Sequence, residues 1–219
     1  MPRHFELELD QLRTMLIRMG SLVEEQIELS VKAILESNPS IAQIVIERDR
    51  KVDEFDNEID KQCMRVFALT QPVAIDLRLL MAALKINSDL ERIGDIAVNL
   101  AERVEPLSAY GNFVKSTSLG PMAAAAREMV KQAIDAFVNS DVELAKKVLQ
   151  SDDRVDTMDR EMFALMLKTM KEDPKVIEPA AHVMILSRHI ERLADHATNI
   201  AEDVVFLVNA KIIKHQAEG

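Results

Sequence analysis

Several residue types are nearly missing from this chain. Among 219 residues there is one cysteine, one tyrosine, no tryptophan, five glycines and seven prolines. The lone thiol, Cys63, excludes an internal disulfide framework and a cysteine-rich metal site, and suits a reducing compartment. Aromatics at 4% and so few turn-forming residues leave little to build short, frequently turning strands, and favour long helices. No apolar run approaches the ~18 residues of a membrane span. The opening stretch MPRHFELELD is charged from its start and does not read as a signal peptide. Positive charge is short too: 27 Lys and Arg stand against 37 Asp and Glu, a net charge of −10. A nucleic-acid partner is excluded on that ground, because neutralising phosphates takes clustered basic residues. The expectation is a soluble protein of a reducing compartment, the cytoplasm.

What is abundant is helical periodicity. Hydrophobic residues make up 48% and charged residues 29%, and the apolar positions recur at helical spacing. Leu9, Leu12, Leu16, Met19, Val23, Ile27 and Ile34 mark a first helix over about 5–37. Asn38 reads as the N-cap and Pro39 as the first residue of a second helix over about 39–69. After Gln71-Pro72 a third runs over about 73–105. The stretch from Pro106 to Pro121, with Gly111 and Gly120, loses the pattern and reads as a linker. Three further runs follow, about 121–139, 141–171 and 175–213, and Ser140-x-x-Glu143 has capping-box spacing at the start of the fifth helix.

The chain also repeats itself. DLERIGDIAVNLAE (89–102) returns as HIERLADHATNIAE (189–202), at an offset of 100, and ERDRKVDEFDNEI (47–59) returns as QSDDRVDTMDREM (150–162), at 103. The fold class that follows is all-α, with two tandem three-helix bundles related by internal duplication, residues 1–110 and 117–219. One continuous six-helix array is the other arrangement open to such a pattern.

The repeated stretches carry acids on one helical face. Glu91, Asp95, Asn99 and Glu102 fall at i, i+4, i+8 and i+11, as do Asp49, Asp53, Asp56 and Asp60 at i, i+4, i+7 and i+11. A solvated face would explain one such stripe. Here the same lines run on into apolar residues: Leu84, Leu80 and Leu77 on the third helix, Met64 and Phe67 on the second, Met184 and Ile177 on the last. A straight helix cannot bury those and fully solvate the acids, so the stripes should be partly covered or should line a groove. Folding each hairpin brings Asp49 and Asp53 level with Glu91, and Asp152 and Asp156 level with Glu191 and Asp195. A like-charge pair at ~4 Å costs about 4 kcal/mol at an effective dielectric of about 20. Protonation, basic partners such as Arg92 and Arg192, or bound cations would each relieve it. Carboxylates with an amide carbonyl are hard oxygen donors suited to Mg, Ca, Mn or Fe, and zinc also accepts Asp and Glu.

Asp76-Leu-Arg after Gln71-Pro72, the two E/D-x-x-x-D helices and the closing VVFLVNAKIIKH resemble the PhoU family over nearly the whole chain. The resemblance implies an all-α body of two three-helix bundles and no enzymatic activity. It implies a negative regulator of the phosphate-starvation response, linking the ATPase subunit of a phosphate ABC transporter to a sensor histidine kinase. It also implies an iron or zinc cluster in each bundle. Transferred by position, the first set is Asp49, Asp53, Asp56, Asp60, Glu91 and Asp95, and the second is Asp152, Asp156, Asp159, Glu191 and Asp195. Asn99 and Asn199 are candidate carbonyl ligands or supports. Asp60 is answered by Phe163, so the two sites should differ in affinity, the first being the more anionic. A homodimer is expected from the long apolar faces.

Other residues carry lesser expectations. His182, His189 and His196 recur every seven residues and should be surface or supporting groups. Cys63 should be a small buried hydrophobe. Asp76 should complement a helix N-terminus, and Arg78 should make a tertiary salt bridge. The rival functional reading is a carboxylate-bridged metalloenzyme or metal store of the ferritin-like kind. That class uses Glu-x-x-His pairs, which this sequence lacks.

Overall fold

The computed structural model describes residues 2–69, 72–73 and 75–210, with side chains from residue 6 onward. Gln71, half of the expected second turn, and residues 211–213 of the expected last helix lie outside the described residues. Among the described residues the chain is helical throughout: α1 (Pro2–Glu36), α2 (Pro39–Leu69), α3 (Ile75–Glu102), α4 (Val104–Leu107), α5 (Gly111–Lys115), α6 (Leu119–Asn139), α7 (Val142–Glu172) and α8 (Ile177–Asn209). Single 3-10 turns lie at Ser108–Tyr110 and Pro174–Val176. None of these helices is long and apolar enough to cross a membrane.

Helices α1, α2 and α3 pack on one another, as do α6, α7 and α8, which gives two three-helix bundles. The bundles are joined along α3 against α8 and α1 against α6. Their buried side chains form one continuous core, running from Leu12, Leu16 and Met19 through Leu90 and Ile93 to Leu193 and Ile200. Each large aliphatic so buried contributes about 1.5–3 kcal/mol. The two bundles therefore share a core, although their helices sort by repeat.

The turn opening the second helix of each bundle is the same in both copies. Ser37 takes a left-handed conformation (φ 51°) and Asn38 N–H closes α1 by bonding Ala33 O at 2.9 Å. Ser140 does likewise (φ 53°), with Asp141 N–H on Ala136 O at 2.9 Å. Each pattern closes the helix in the manner of a Schellman motif. The following side chain then caps the next helix. Asn38 Oδ1 accepts from Ser40 and Ile41 N–H at 3.1 and 3.3 Å, and Asp141 Oδ1 accepts from Leu144 N–H at 3.0 Å. The expected Asn38 cap is present. The cap assigned to Ser140 belongs instead to Asp141, the residue that matches Asn38 at the offset of 103. Ser140 matches Ser37 and ends the preceding helix.

The expected linker is also different. Residues 104–115 form α4, the 3-10 turn and α5, and Leu107, Val114 and Leu119 are buried. Low periodicity there reflects short helical pieces, not an extended strand of chain. Gly111 packs close to the turn at Ser37: a Cβ there would require the Ser37 hydroxyl to rotate aside.

Candidate metal centre

Each acid row sits in the groove between the second and third helices of its bundle. Buried Val52 and Ile59 on α2, and Leu90, Ile93 and Ala97 on α3, lock the registers of the two helices. In the first bundle Gly94 lets α3 come close to α2. A Cβ there would lie 3.2 Å from Val52 Cγ1 and 3.3 Å from Asp49 Oδ1. Asp49, Asp56, Glu91 and Asn99 are half-buried, while Asp53, Asp60 and Asp95 are exposed. In the second bundle Asp152, Asp156, Asp159 and Asn199 are half-buried, Asp195 is exposed, and Glu191 is only 7% exposed.

The acids face one another as the hairpin reading requires. Burial, and then Asp53 and Asp95, push the Asp49 carboxyl up from its ordinary acidity, with Gln26 opposing. Asp56 is raised by burial, then Asp60 and Asp53. Glu91 is raised by burial, then by Asp95 on its own helix and by Asp56 and Asp53 across the groove. In the second bundle Asp152 rises to about 6 through burial and then Asp156, Asp195 and Asp153. Glu191 rises to about 7 through burial and then Asp195, against the pull of Arg188. Asp195 rises through burial and Asp156.

Three polar side chains hold individual acids, and sequence reasoning missed all of them. Asn87 on α3 donates to Asp56 Oδ1 at 2.7 Å and to Asp60 Oδ1 at 3.2 Å. Its counterpart Ser187 donates to Asp159 Oδ1 at 2.6 Å, so the two copies keep one bond with different donors. Gln26 on α1 reaches Asp49 Oδ1 at 3.5 Å. At the offset of 103 its place in the second bundle is taken by Met129, which is buried and donates nothing. Asp152 Oδ1 is accordingly buried without a partner, and so is Glu191 Oε2.

The direct ion pairs come from Arg188, while the exposed Arg92 and Arg192 act from farther off, Arg92 opposing the rise at Glu91 and Arg192, after Arg188, the rise at Asp195. Arg188 Nη1 lies 2.5 Å from Glu191 Oε1 and 3.8 Å from Asp159 Oδ2. The matching first-bundle residue is Ser88.

The donor chemistry suits hard cations: buried, unpartnered carboxylate oxygens among like charges are what an ion would satisfy. Among the described residues, however, no three His, Cys, Asp or Glu side chains converge as an ion's ligands do. Asn87, Ser187 and Arg188 instead satisfy Asp56 and Asp60, Asp159, and Glu191 in turn.

Several expectations need correction. Leu80 is buried and Leu84 half-buried, but Leu77, Met64, Phe67 and Ile177 are 38%, 60%, 38% and 49% exposed. Among the described residues the acid rows therefore continue into open apolar rows; α1 reaches that end of the first hairpin, where Gln62 and Arg65 bond Glu8, but it covers Cys63 and Val66 and leaves Met64 and Phe67 exposed. Asn199 donates its amide to Asp89 Oδ1 at 3.2 Å, across the seam between the bundles. His196 is no surface group: it is 7% exposed, with Nδ1 2.8 Å from the same Asp89 oxygen. Nδ1 of His182 and of His189 is buried and unpartnered. Arg78 makes no salt bridge among the described residues and instead donates to the Leu207 carbonyl at 3.3 Å. Cys63 is fully buried, and burial followed by Asp60 pushes its thiol up to about 12. Asp76 stands in the first turn of α3, as expected.

The PhoU domain profile matches residues 16–104 and again 119–204, one match for each bundle. The chain is 36% identical over 97% of its length to a phosphate-specific transport system accessory protein PhoU homolog of Pseudomonas putida, 84% of which is covered. It is 38% identical to the Aquifex aeolicus protein of the same description, over 95% of each chain. The crystal structure of PhoU from Pseudomonas aeruginosa superposes with a TM-score of 0.89 at 35% identity, covering 94% of this chain and 100% of that one. The phosphate transport system regulatory protein PhoU from Streptococcus pneumoniae gives 0.89 at 26% identity, covering 96% and 99%. With matching domains in both halves and relatives alike along almost their entire lengths, the chain belongs to the PhoU family.

Proposed function

We propose that this protein is a cytoplasmic, non-catalytic accessory regulator of phosphate uptake, with a carboxylate metal site in each bundle. In this reading it represses the phosphate-starvation response when phosphate is plentiful. It does so by linking the ATPase subunit of a phosphate ABC transporter to a sensor histidine kinase, and it works as a homodimer. The family relationship supports the system. The metal reading rests on one observation, the buried and unpartnered oxygens of Asp152 and Glu191 facing further acids across a helical groove. Iron or zinc would be held by Asp49, Asp53, Asp56, Asp60, Glu91 and Asp95 in the first bundle, and by Asp152, Asp156, Asp159, Glu191 and Asp195 in the second. Such ions would neutralise the rows and pin the two helices of each hairpin together. The exposed apolar rows, Met64, Phe67 and Leu77 in one half and Phe163, Leu167 and Ile177 in the other, are the surfaces offered to partners. The test is capture by the purified protein of the transporter's ATPase subunit and of the kinase's sensory domain. Binding to at least one supports the adaptor. Binding to neither, together with oxygen-dependent turnover, would favour the ferritin-like alternative.

A further inference from the structure

The two acid rows differ in one respect that duplication does not explain. Among the described residues the six acids of the first bundle pair with no Lys or Arg, whereas Arg188 bridges Glu191 Oε1 at 2.5 Å and Asp159 Oδ2 at 3.8 Å in the second. These two acids lie on different helices, α8 and α7, so the guanidinium spans the groove between them. Its own side chain is 64% exposed while that of Glu191 is 9% exposed. The arginine therefore enters from solvent over a buried carboxylate whose other oxygen, Oε2, has no partner. An exposed arginine stem leaves the charged head within reach of water as well as of the carboxylate.

We infer that Arg188 is a tethered counter-ion, a built-in competitor that an incoming metal ion must displace from the second bundle. This inference rests on the metal reading given above. Ser88 at the matching position of the first bundle offers no such competition, so occupancy of the second row is regulated and that of the first is not. When metal enters, the released guanidinium becomes a mobile cation at the rim of the site, and the surface of the second bundle changes with its loading state. Asp159 also accepts from Ser187 at 2.6 Å, a bond that does not depend on Arg188.

The test is calorimetric titration of the chelator-stripped full chain with zinc ions, with sites assigned to bundles by Asp95→Asn and Asp195→Asn. Arg188→Ser, which copies the first bundle, should tighten zinc at the second site by up to about fivefold, the scale of one exposed ion pair. Ser88→Arg, which copies the second bundle, should weaken zinc at the first site by a similar factor. Circular dichroism melts show that each variant is folded, and Ser88→Arg carries the test if Arg188→Ser is not. Zinc binding that neither substitution alters overturns the competitor role while leaving the metal sites intact. No zinc uptake by the wild-type chain overturns both.

Discussion

His196 Nδ1 lies 2.8 Å from Asp89 Oδ1, a contact between two buried side chains that ties α8 of the second bundle to α3 of the first. Asn199 donates to the same oxygen at 3.2 Å, and Lys85 Nζ meets the buried Asp203 at 2.7 Å along the same seam. The offset of 100 matches Asp89 to His189 and His196 to Ile96, so the contact joins residues at which the two copies differ. The seam is a specific interface between the bundles, not leftover contact.

Removing Asp89 should therefore destabilise the whole chain. Asp89→Ala strands the His196 ring nitrogen and the Asn199 amide in a buried seam, and unsatisfied polar groups of that kind cost about 1–3 kcal/mol each. Urea unfolding should show a single transition at lower midpoint, with Asp89→Asn falling between the variant and wild type. Two separated transitions in Asp89→Ala would mean that the seam, more than the shared apolar core, couples the bundles.

The repeated turn makes a paired prediction. Asn38→Ala and Asp141→Ala each remove one N-cap, at a cost of about 1 kcal/mol apiece. Because the two caps lie in separate bundles and share no partner, the double variant should lose the sum. A marked departure from additivity in denaturant unfolding would contradict the independence of the two turns.

Stability of the metal-free protein should fall as pH rises through mild acidity. In the fold Glu191 is raised from an ordinary 4.5 to about 7, and Asp152 from 3.8 to about 6. The folded chain then holds more protons than the unfolded chain between those values, and stability declines with pH wherever that is so. The loss should begin near pH 4 and be complete near pH 7. Glu191→Gln should flatten the upper part of the profile, since a neutral amide has no charge to bury. Thermal melts of stripped protein across this range check it; a melting temperature that climbs steadily from pH 4.5 to 7 would contradict the assignment.

The open apolar rows predict a separation of binding from folding. Phe67→Ser and Phe163→Ser alter side chains 38% and 51% exposed, so the melting temperature should hardly move. Capture of the transporter or kinase partner should weaken by about tenfold or more, as expected where an exposed aromatic anchors an interface.

Much of this was legible in the sequence, and the exceptions have physical reasons. Six long amphipathic runs could be read because a helix repeats its pattern over many turns, and the internal offsets located the acid rows twice. Residues 104–115 escaped because helices of one turn are too short to show a period. Ser140-x-x-Glu143 has capping-box spacing, but the match of Ser140 to Ser37 at the offset of 103 points to the left-handed residue and leaves capping to Asp141. Arg188 was missed because comparison of the copies favours what they share, and its counterpart is Ser88; the available signal was its i, i+3 spacing to Glu191. Asn87 and Ser187 escaped similarly, since their identities differ while their role as donors to Asp56 and Asp159 is common. Burial of Met64, Phe67 and Ile177 was over-read. Helical phase tells which way a residue points, but not whether a neighbouring helix packs against that face.

Elemental content measures directly whether the acid rows hold metal. Wild-type protein purified without chelator should carry iron or zinc at both bundles, lose it to chelation, and regain it on reconstitution. The double variant Asp95→Ala/Asp195→Ala, shown to be folded by its circular dichroism, should carry little or none. Metal content in the double variant equal to that of wild type would contradict the account.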